Sequence, residues 1–345
     1  MADIFTLDFI KNIAIIAVAL IFLNIASDAV IKYATKIAAI TKLGKTSIGF
    51  TLISVSTTLP ELTVALSAAV SGGAALSIGN AIGSNIFNIS AILGIGAVIL
   101  GIRIFTSTKR NKKVKVKNCN IIPNLDTSEL SNIEFGLFIA SVVPLILLYI
   151  STEAAWFVGL ILLVLFGVYL YRLSKARITT EEADAEVTPQ EKSKLKQFVL
   201  FTIIGALGVV ISANFMVESA IAIATTAGVS QQVIGATIVA LGTSIPELTI
   251  GVKAILRGHP NLALGNIIGA AFFNTTLILG VTLFVPVLTG AAVLVNMDVY
   301  LNLILFSIII NTFFWYFLSR KKITWQEGIV FLTIYALFII TTLTA

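Results

Sequence analysis

The sequence contains very little cysteine, histidine or charge. Of its 345 residues one is cysteine, Cys119, and one is histidine, His259. A single cysteine excludes an internal disulfide. A single histidine, with no HExxH motif and no Cys/His cluster, argues against an intramembrane enzyme. Charged residues make up only 12% of the chain. We expect no enzyme activity and no bound cofactor.

Hydrophobic residues make up 57% of the chain, and the mean hydropathy is +1.01. This composition is typical of an integral membrane protein. About 20 mostly apolar residues cross the hydrocarbon core as a helix, and ten such segments can be placed on the sequence. They are 9–27, 46–70, 75–101, 134–152, 154–173, 198–217, 230–256, 261–288, 295–318 and 325–343. We therefore predict an all-α, multi-pass membrane protein with ten transmembrane helices. The first segment follows acidic residues, so we do not interpret it as a signal peptide.

Positive charge is missing from every second connection between these segments. Of the 23 Lys and Arg, 22 fall in odd-numbered loops or within four residues of them, and Lys11 is the exception. The positive-inside rule then places the odd loops in the cytoplasm and both termini outside. The net charge of +6 and the basic run at 109–117 are explained by topology. Asp28 lies near the predicted end of the first helix, where we expect it to be solvated.

An internal repeat divides the chain. Residues 49–95 align without a gap with residues 235–281, a shift of 186, with 19 identities in 47 positions. We predict two five-helix halves: residues 1–173, with a polar basic cytoplasmic loop at about 102–133, and residues 198–345. A mixed-charge cytoplasmic linker at 174–197 joins them. An odd number of crossings inverts the second half, as in secondary transporters that bind substrate near the bilayer midplane.

Each repeat has a glutamate directly after a proline within an apolar run, in "STTLPEL" and "LGTSIPEL". Pro60 and Pro246 lack an amide proton, so each helix should break there and free the carbonyl four residues earlier to line a polar cavity. Glu61 and Glu247 at mid-bilayer would each destabilise insertion by about 2.5–3.5 kcal/mol. The membrane-centre segments contain no Lys or Arg to pair with them. The remaining counter-charge is a bound cation or a proton.

A second shared motif adds amide and hydroxyl oxygens. It reads "GNAIGSNIFN" at 79–88 and "GNIIGAAFFN" at 265–274, with glycines at identical spacing. Such glycines allow close approach of helices. We expect Asn80 and Asn266 to form hydrogen bonds between helices. An all-oxygen site suits Ca²⁺ or Na⁺, and two carboxylates match the charge of one Ca²⁺, so that Na⁺ or H⁺ would compete with it. The candidate ligands are Glu61, Glu247, Thr57, Thr58, Thr243, Ser244, Ser84, Asn88 and Asn274.

Together these motifs resemble the two α-repeats of the sodium/calcium exchanger family, of the prokaryotic ten-helix type, within the cation/calcium antiporter superfamily. The resemblance implies that Glu61 and Glu247 are central ligands shared by calcium and sodium, with the backbone carbonyls of Thr57 and Thr243 completing the calcium site. It implies that the long first and sixth helices slide across the rest to alternate access. It implies sodium binding at, or next to, Thr58, Ser84, Asn88, Thr243 and Ser244.

The sequence departs from the family pattern at two positions. Many prokaryotic members have an aspartate at the position of Asn274, whose amide repeats Asn88 and is an acceptable ligand. A serine is often found at the position of Ala270, which here removes one hydroxyl from the second half of the sodium site. The coupling ion is therefore open between Na⁺ and H⁺.

The predicted function is exchange of Ca²⁺ for Na⁺ across the membrane by alternating access at Glu61 and Glu247. The alternative is Ca²⁺/H⁺ exchange at the same glutamates. A cation channel is less favoured, because inverted repeats around one midplane site do not form the continuous pore that a channel needs. The expected partners are Ca²⁺, Na⁺, H⁺ and the lipid bilayer, with no nucleic acid and no protein partner.

Overall fold

The computed structural model is almost entirely helical over the residues that it describes, which are 7–41, 45–71, 74–110, 121, 127–147, 155–175, 193–226, 240–290 and 301–344. Up to the linker, the elements are α1 (Leu7–Thr41), α2 (Lys45–Ile48), a π-helical segment (Gly49–Ile53), α3 (Ser54–Thr57), α4 (Leu59–Ser71), α5 (Ala74–Phe87), a π-helical segment (Asn88–Ile92), α6 (Leu93–Arg110), α7 (Thr127–Leu147) and α8 (Ala155–Lys175). After the linker they are α9 (Leu195–Thr226), α10 (Ala240–Thr243), α11 (Ile245–Leu256), α12 (Pro260–Phe273), a π-helical segment (Asn274–Ile278), α13 (Leu279–Thr289), α14 (Leu301–Ser319) and α15 (Trp325–Thr344).

Each of the ten predicted apolar segments contains helix in its described part. Within the described residues, six stretches are long and apolar enough to cross a membrane: Asp8–Thr41, Ser77–Thr106, Leu195–Met216, Pro260–Thr289, Leu301–Ser319 and Trp325–Thr342. Two shorter apolar helices cover Glu134–Ile146 and Ala155–Tyr171. The prediction of a helical membrane protein is confirmed at this level, while ten crossings in two inverted halves stay a prediction.

Several helices continue past their predicted ends. α1 reaches Thr41 instead of residue 27, so that Lys32 and Lys36 lie on a helix and not in a loop. Lysine is a good helix former with an apolar stem, so a helix need not end where the mean hydropathy falls. Likewise, α9 extends to Thr226 instead of residue 217.

The predicted polar loop at 102–133 is helical at both ends, because α6 continues to Arg110 and α7 begins at Thr127. The predicted linker is also shorter, since α8 continues to Lys175 and α9 begins at Leu195. Most of the basic run with Cys119, most of the linker, and residues 230–239 and 295–300 of two predicted segments lie outside the described residues.

The shift of 186 residues also relates the bounds of elements. α5 and α12 begin and end at positions 186 apart, and so do the π-helical segments Asn88–Ile92 and Asn274–Ile278. The single non-helical residues Thr58 (φ −82°, ψ 8°) and Ser244 (φ −96°, ψ 4°) also correspond. π-Helical turns are rare and often occur at functional sites. The repeat is therefore preserved in the backbone as well as in the sequence.

The two longest helices, α1 and α9, pack along one another. A Cβ atom at Gly205 of α9 would lie 2.9 Å from Cγ2 of Val30 on α1, so this contact requires a glycine. The Tyr33 ring also lies 5.7 Å from Phe198 and 5.0 Å from Phe201, measured between centroids. At about 1.5 Å per residue, the two helices are about 52 and 48 Å long. The expectation of a long first and sixth helix agrees with these lengths.

Two glycines bring α12 against the chain leading to the first glutamate. A Cβ atom at Gly265 would lie 2.0 Å from the carbonyl oxygen of Thr46, and one at Gly269 would lie 2.7 Å from that of Phe50. The ring of Phe50 also packs against that of Phe272 in a tilted arrangement, with centroids 5.6 Å apart. The expected close approach of the motif glycines is confirmed at these two positions. This contact joins the two halves next to the site.

Candidate cation site

Two glutamates lie in the interior at the beginning of repeat-related helices. Glu61 is in the first turn of α4 and Glu247 is in the first turn of α11, and both are 0% exposed. The hydroxyl of Ser244, three residues before Glu247, lies 3.5 Å from Oε1 of Glu61, so the two glutamates lie in the same part of the interior. Within the described residues neither forms an ion pair. A buried carboxylate in this state is unfavourable unless a cation or a proton neutralises it.

The helix is interrupted for one residue just before each glutamate. In the first repeat, the amide of Thr58 donates to the carbonyl of Ser54 (2.9 Å), and that of Leu62 donates to Thr58 (3.0 Å). The hydrogen-bond ladder therefore continues on both sides of the interruption. Since Pro60 has no amide proton, the carbonyl of Ser56 is left without its helical donor. The local sequence thus leaves the carbonyl oxygen of Ser56 free of its helical donor about one turn before Glu61.

Hydroxyl groups from the second repeat meet the glutamate of the first. The Ser244 Oγ atom lies 3.5 Å from Oε1 of Glu61 and 3.2 Å from Oγ of Ser84. In the converse arrangement, Thr57 of the first repeat is fully buried and lies beside Glu247 of the second. The structure therefore brings five predicted site residues together across the two repeats. Thr58 is buried next to them, and its hydroxyl donates to the carbonyl of Ser54.

The paired asparagines Asn88 and Asn274 are both fully buried but have different neighbours. Neither side-chain atom of Asn88 has a hydrogen-bond partner within the described part of the chain. Asn274 donates from Nδ2 to Oδ1 of Asn85 at 3.0 Å, while its own Oδ1 has no such partner there. An amide oxygen without a donor is available to a cation, so both residues remain suitable ligands.

The expectation for the other two motif asparagines holds for only one of them. Thr243 Oγ1 lies 3.5 Å from Oδ1 of Asn80, which is a contact between helices. Asn266 is fully buried, and within the described residues neither atom of its amide has a hydrogen-bond partner. The predicted bond from Asn266 is therefore not observed.

Asn85 is a residue of this region that the sequence did not single out. Its Nδ2 donates to Oγ1 of Thr275 (3.0 Å) and approaches the carbonyl of Ala271 (3.4 Å), and its Oδ1 accepts from Asn274. The available signal was a third amide in "GNAIGSNIFN", at the position where the other copy has Ala271. Asn85 holds Asn274 in place from the opposite repeat.

The arrangement is rich in oxygen and poor in other metal ligands. The described residues contain no group of three or more His, Cys, Asp or Glu that could hold a metal ion. The site has two carboxylates, and its other oxygens come from hydroxyl, amide and backbone groups. Hard cations such as Ca²⁺ and Na⁺ take these ligands. Ala270, at 0% exposure, contributes only a methyl group.

Comparison with known proteins identifies the family. The family profile described as sodium/calcium exchanger protein matches residues 11–175 and 197–344. The chain is 31% identical over 334 residues to an uncharacterized membrane protein of Methanocaldococcus jannaschii, covering 96% of this chain and 97% of that one. It is 27% identical over 347 residues to the sodium/calcium exchanger MaX1 of Methanosarcina acetivorans, covering 95% and 97%.

Solved structures give the same result. The fold matches that of the sodium-calcium exchanger NCX_Mj soaked with 10 mM Na⁺ and zero Ca²⁺, with a TM-score of 0.75 and 27% identity. The match covers 96% of this chain and 98% of that chain. The chain therefore belongs to the sodium/calcium exchanger family of membrane cation antiporters.

Proposed function

We propose that the protein exchanges Ca²⁺ for Na⁺ by alternating access at a site built around Glu61 and Glu247. The observation that carries this proposal is the burial of both carboxylates, neither of which forms an ion pair within the described residues. One Ca²⁺ neutralises the two charges. The similar exchanger NCX_Mj has been soaked with Na⁺, Ca²⁺ and Sr²⁺ in solved structures, which supports the choice of ions.

The proposed ligands come from both repeats. Glu61 and Glu247 bind either ion, and the backbone carbonyls of Thr57 and Thr243 complete the Ca²⁺ site. Na⁺ ions bind to, or beside, the remaining oxygens. These belong to Thr58, Ser84, Asn88, Ser244 and Asn274. Because the site is buried and has a low dielectric, Na⁺ added beside Ca²⁺ would be repelled.

This mutual exclusion supports exchange over simple uniport. With the site empty, two unneutralised carboxylates would have to move past apolar surface, which is unfavourable. With Ca²⁺ or Na⁺ bound, the charge is balanced and α1 and α9 slide across the site. Only the loaded carrier then crosses, so that the two ion fluxes are coupled.

The proposed topology is ten crossings in two inverted halves, with both termini outside and the basic loops in the cytoplasm. The alternation of Lys and Arg between loops supports this orientation. The 186-residue correspondence of α5 with α12 supports the two halves. Inversion places the two glutamates at the same depth, near the bilayer midplane, as expected for such transporters.

Proteoliposomes provide the test. An outward Na⁺ gradient should drive ⁴⁵Ca²⁺ into vesicles containing the protein, and Glu61→Gln should reduce this uptake by at least about 100-fold, because a central ligand charge is lost. Val287→Ala, at an exposed position of α13, serves as a matched control. Uptake that persists in Glu61→Gln at the wild-type rate contradicts the proposal.

Exchange of Ca²⁺ for H⁺ is the second candidate, and Ala270 is the observation that favours it. The fully buried methyl group supplies no oxygen where family members often have a hydroxyl, which weakens one sodium position. The same glutamates would then carry protons. In the same vesicles, this alternative predicts uptake driven by a pH gradient alone, in the absence of Na⁺.

A further inference from the structure

A cluster of charges joins α1 to the end of α11. Arg257 lies with its guanidinium 2.6 Å from Oδ2 of Asp28, and Lys253 forms an ion pair with the other carboxylate oxygen. Lys253 also donates to the backbone carbonyl and to Oδ1 of Asn24, both at 2.7 Å. We call Asn24, Asp28, Lys253 and Arg257 the charge clamp. Asp28 is therefore not simply solvated, which corrects the expectation from the sequence.

The charge clamp connects a long helix to a helix that carries a site ligand. Lys253 is six residues after Glu247 on α11, or about 9 Å along the helix axis. The side chains are 19% exposed for Lys253 and 34% for Asp28, so the pair is only partly shielded from solvent. Two cations share one carboxylate, and a third contact goes to a backbone carbonyl. Movement of α1 along α11 has to break these contacts together.

The repeat supplies no mirrored copy of this cluster, which would join α9 of the second half to α4 of the first. The 186-residue shift places Asn214 opposite Asp28, Ser67 opposite Lys253 and Ser71 opposite Arg257. None of these three residues carries a charge, so the mirrored position cannot form an ion pair. The positive-inside rule accounts for Lys253 and Arg257 on the cytoplasmic side. It does not account for a carboxylate on α1 that faces both of them.

We infer that the charge clamp is a one-sided lock, which holds the transporter in the state with the Lys253 side closed. The inference rests on the proposed alternating-access function. Related halves would give two end states of similar stability if all their contacts were repeated. The charge clamp joins the two halves on one side and has no mirrored copy in the sequence, so it stabilises one end state over the other. Asn24, Asp28, Lys253 and Arg257 thereby act as positioning residues that bind no transported ion.

The test measures the distance between α1 and the rest of the protein in lipid. Spin labels are attached at Lys32→Cys on α1 and Ile102→Cys on α6, in a Cys119→Ser background with saturating Na⁺ and without Ca²⁺. Both positions are exposed. Asp28→Asn should lower the ratio of closed to open distances about two- to fivefold, as expected for a partly exposed ion pair. Arg257→Gln should act in the same direction, and the double variant should add little.

Two further variants make the result specific. Glu218→Gln removes an exposed carboxylate from the paired helix α9 and should leave the distances unchanged. Asn214→Asp with Ser67→Lys builds a mirrored pair and should shift the ratio in the direction of Asp28→Asn. An unchanged ratio in Asp28→Asn, or an equal change in Glu218→Gln, overturns the inference. Since no Ca²⁺ is present, a shifted ratio in a protein that fails the ⁴⁵Ca²⁺ test would reject the proposed function and keep the charge clamp.

Discussion

Glu61 and Glu247 occupy equivalent positions in the two repeats but do not have equivalent neighbours. Glu61 has the Ser244 hydroxyl 3.5 Å from one oxygen, whereas neither oxygen of Glu247 has a hydrogen bond within the described residues. Both glutamates could be proposed as cation ligands from the sequence, because an acidic residue directly after a proline is unusual in an apolar run. The sequence could not predict this difference, which depends on how two distant helices pack.

The unpaired charge at Glu247 leads to a prediction about stability. In the absence of Ca²⁺ and Na⁺, Glu247→Gln should be more stable to heat than the wild-type protein, because it removes an unneutralised buried charge. Ca²⁺ at 100 times its Kd should stabilise the wild-type protein by about 2.7 kcal/mol, and this gain should be lost in the variant. Thermal unfolding in detergent with and without Ca²⁺ measures both effects. Equal Ca²⁺ shifts in the two proteins would contradict the assignment of Glu247 as a ligand.

Ala270 leads to a prediction about the coupling ion. Ala270→Ser should raise the apparent Na⁺ affinity about two- to tenfold, since one added oxygen contact contributes about 0.5–1.5 kcal/mol. The Na⁺ dependence of ⁴⁵Ca²⁺ exchange measures this change. Ala263→Ser on the same helix is the control, because Ala263 is equally buried but lies two turns before the site. A similar gain in both variants would show that the serine acts through general effects on α12.

At the scale of elements, repeat-related glycines have different surroundings. A Cβ atom at Gly269 would lie 2.4 Å from Oγ of Ser54 and 2.7 Å from the carbonyl oxygen of Phe50, whereas one at Gly83 would have no atom within 4 Å. Gly269→Ala should therefore destabilise the protein by about 1–3 kcal/mol through overpacking. Gly83→Ala should be neutral, or stabilising by up to about 1 kcal/mol, because alanine favours helix. Thermal unfolding of both variants tests this, and an equal loss in the two would be the opposite result.

The element boundaries show what hydropathy can and cannot predict. The apolar run of each helix was found, since a membrane helix needs about 20 such residues. The end of α1 was not, because Lys32 and Lys36 continue the helix with charged tips. The single non-helical residue Thr58 lies where proline chemistry predicted a break, and a full break of the helix stays a prediction. The π-helical segments could not be predicted, because an extra residue in a helical turn leaves no fixed pattern in a single sequence.

At the scale of the whole molecule, the single cysteine reports on orientation. Cys119 lies in the basic third loop of the sequence, which the proposed topology places in the cytoplasm. A membrane-impermeant maleimide should therefore label it in permeabilised cells and not in intact ones. Thr289→Cys with Cys119→Ser is the control, because Thr289 is exposed at the end of α13 on the proposed outer side. Labelling of Cys119 in intact cells would reverse the topology.

The arrangement of the two halves was only partly visible in the sequence. The 186-residue repeat predicted equivalent roles for Glu61 and Glu247, and both side chains are fully buried, while their sharing of one ion stays a prediction. Contacts that the repeat does not duplicate could not be predicted in this way. The pairing of Asp28 with Lys253 and Arg257 joins residues more than 200 positions apart, whose charges separately suggested only solvation and topology.

The lengths of α1 and α9 make the protein sensitive to the thickness of its membrane. A helix about 52 Å long exceeds hydrocarbon about 30 Å thick, so α1 either tilts or projects beyond it. Thicker bilayers would draw the two helices upright and thinner ones would tilt them further. Acyl-chain length should therefore alter the turnover rate, even though no lipid touches the ions.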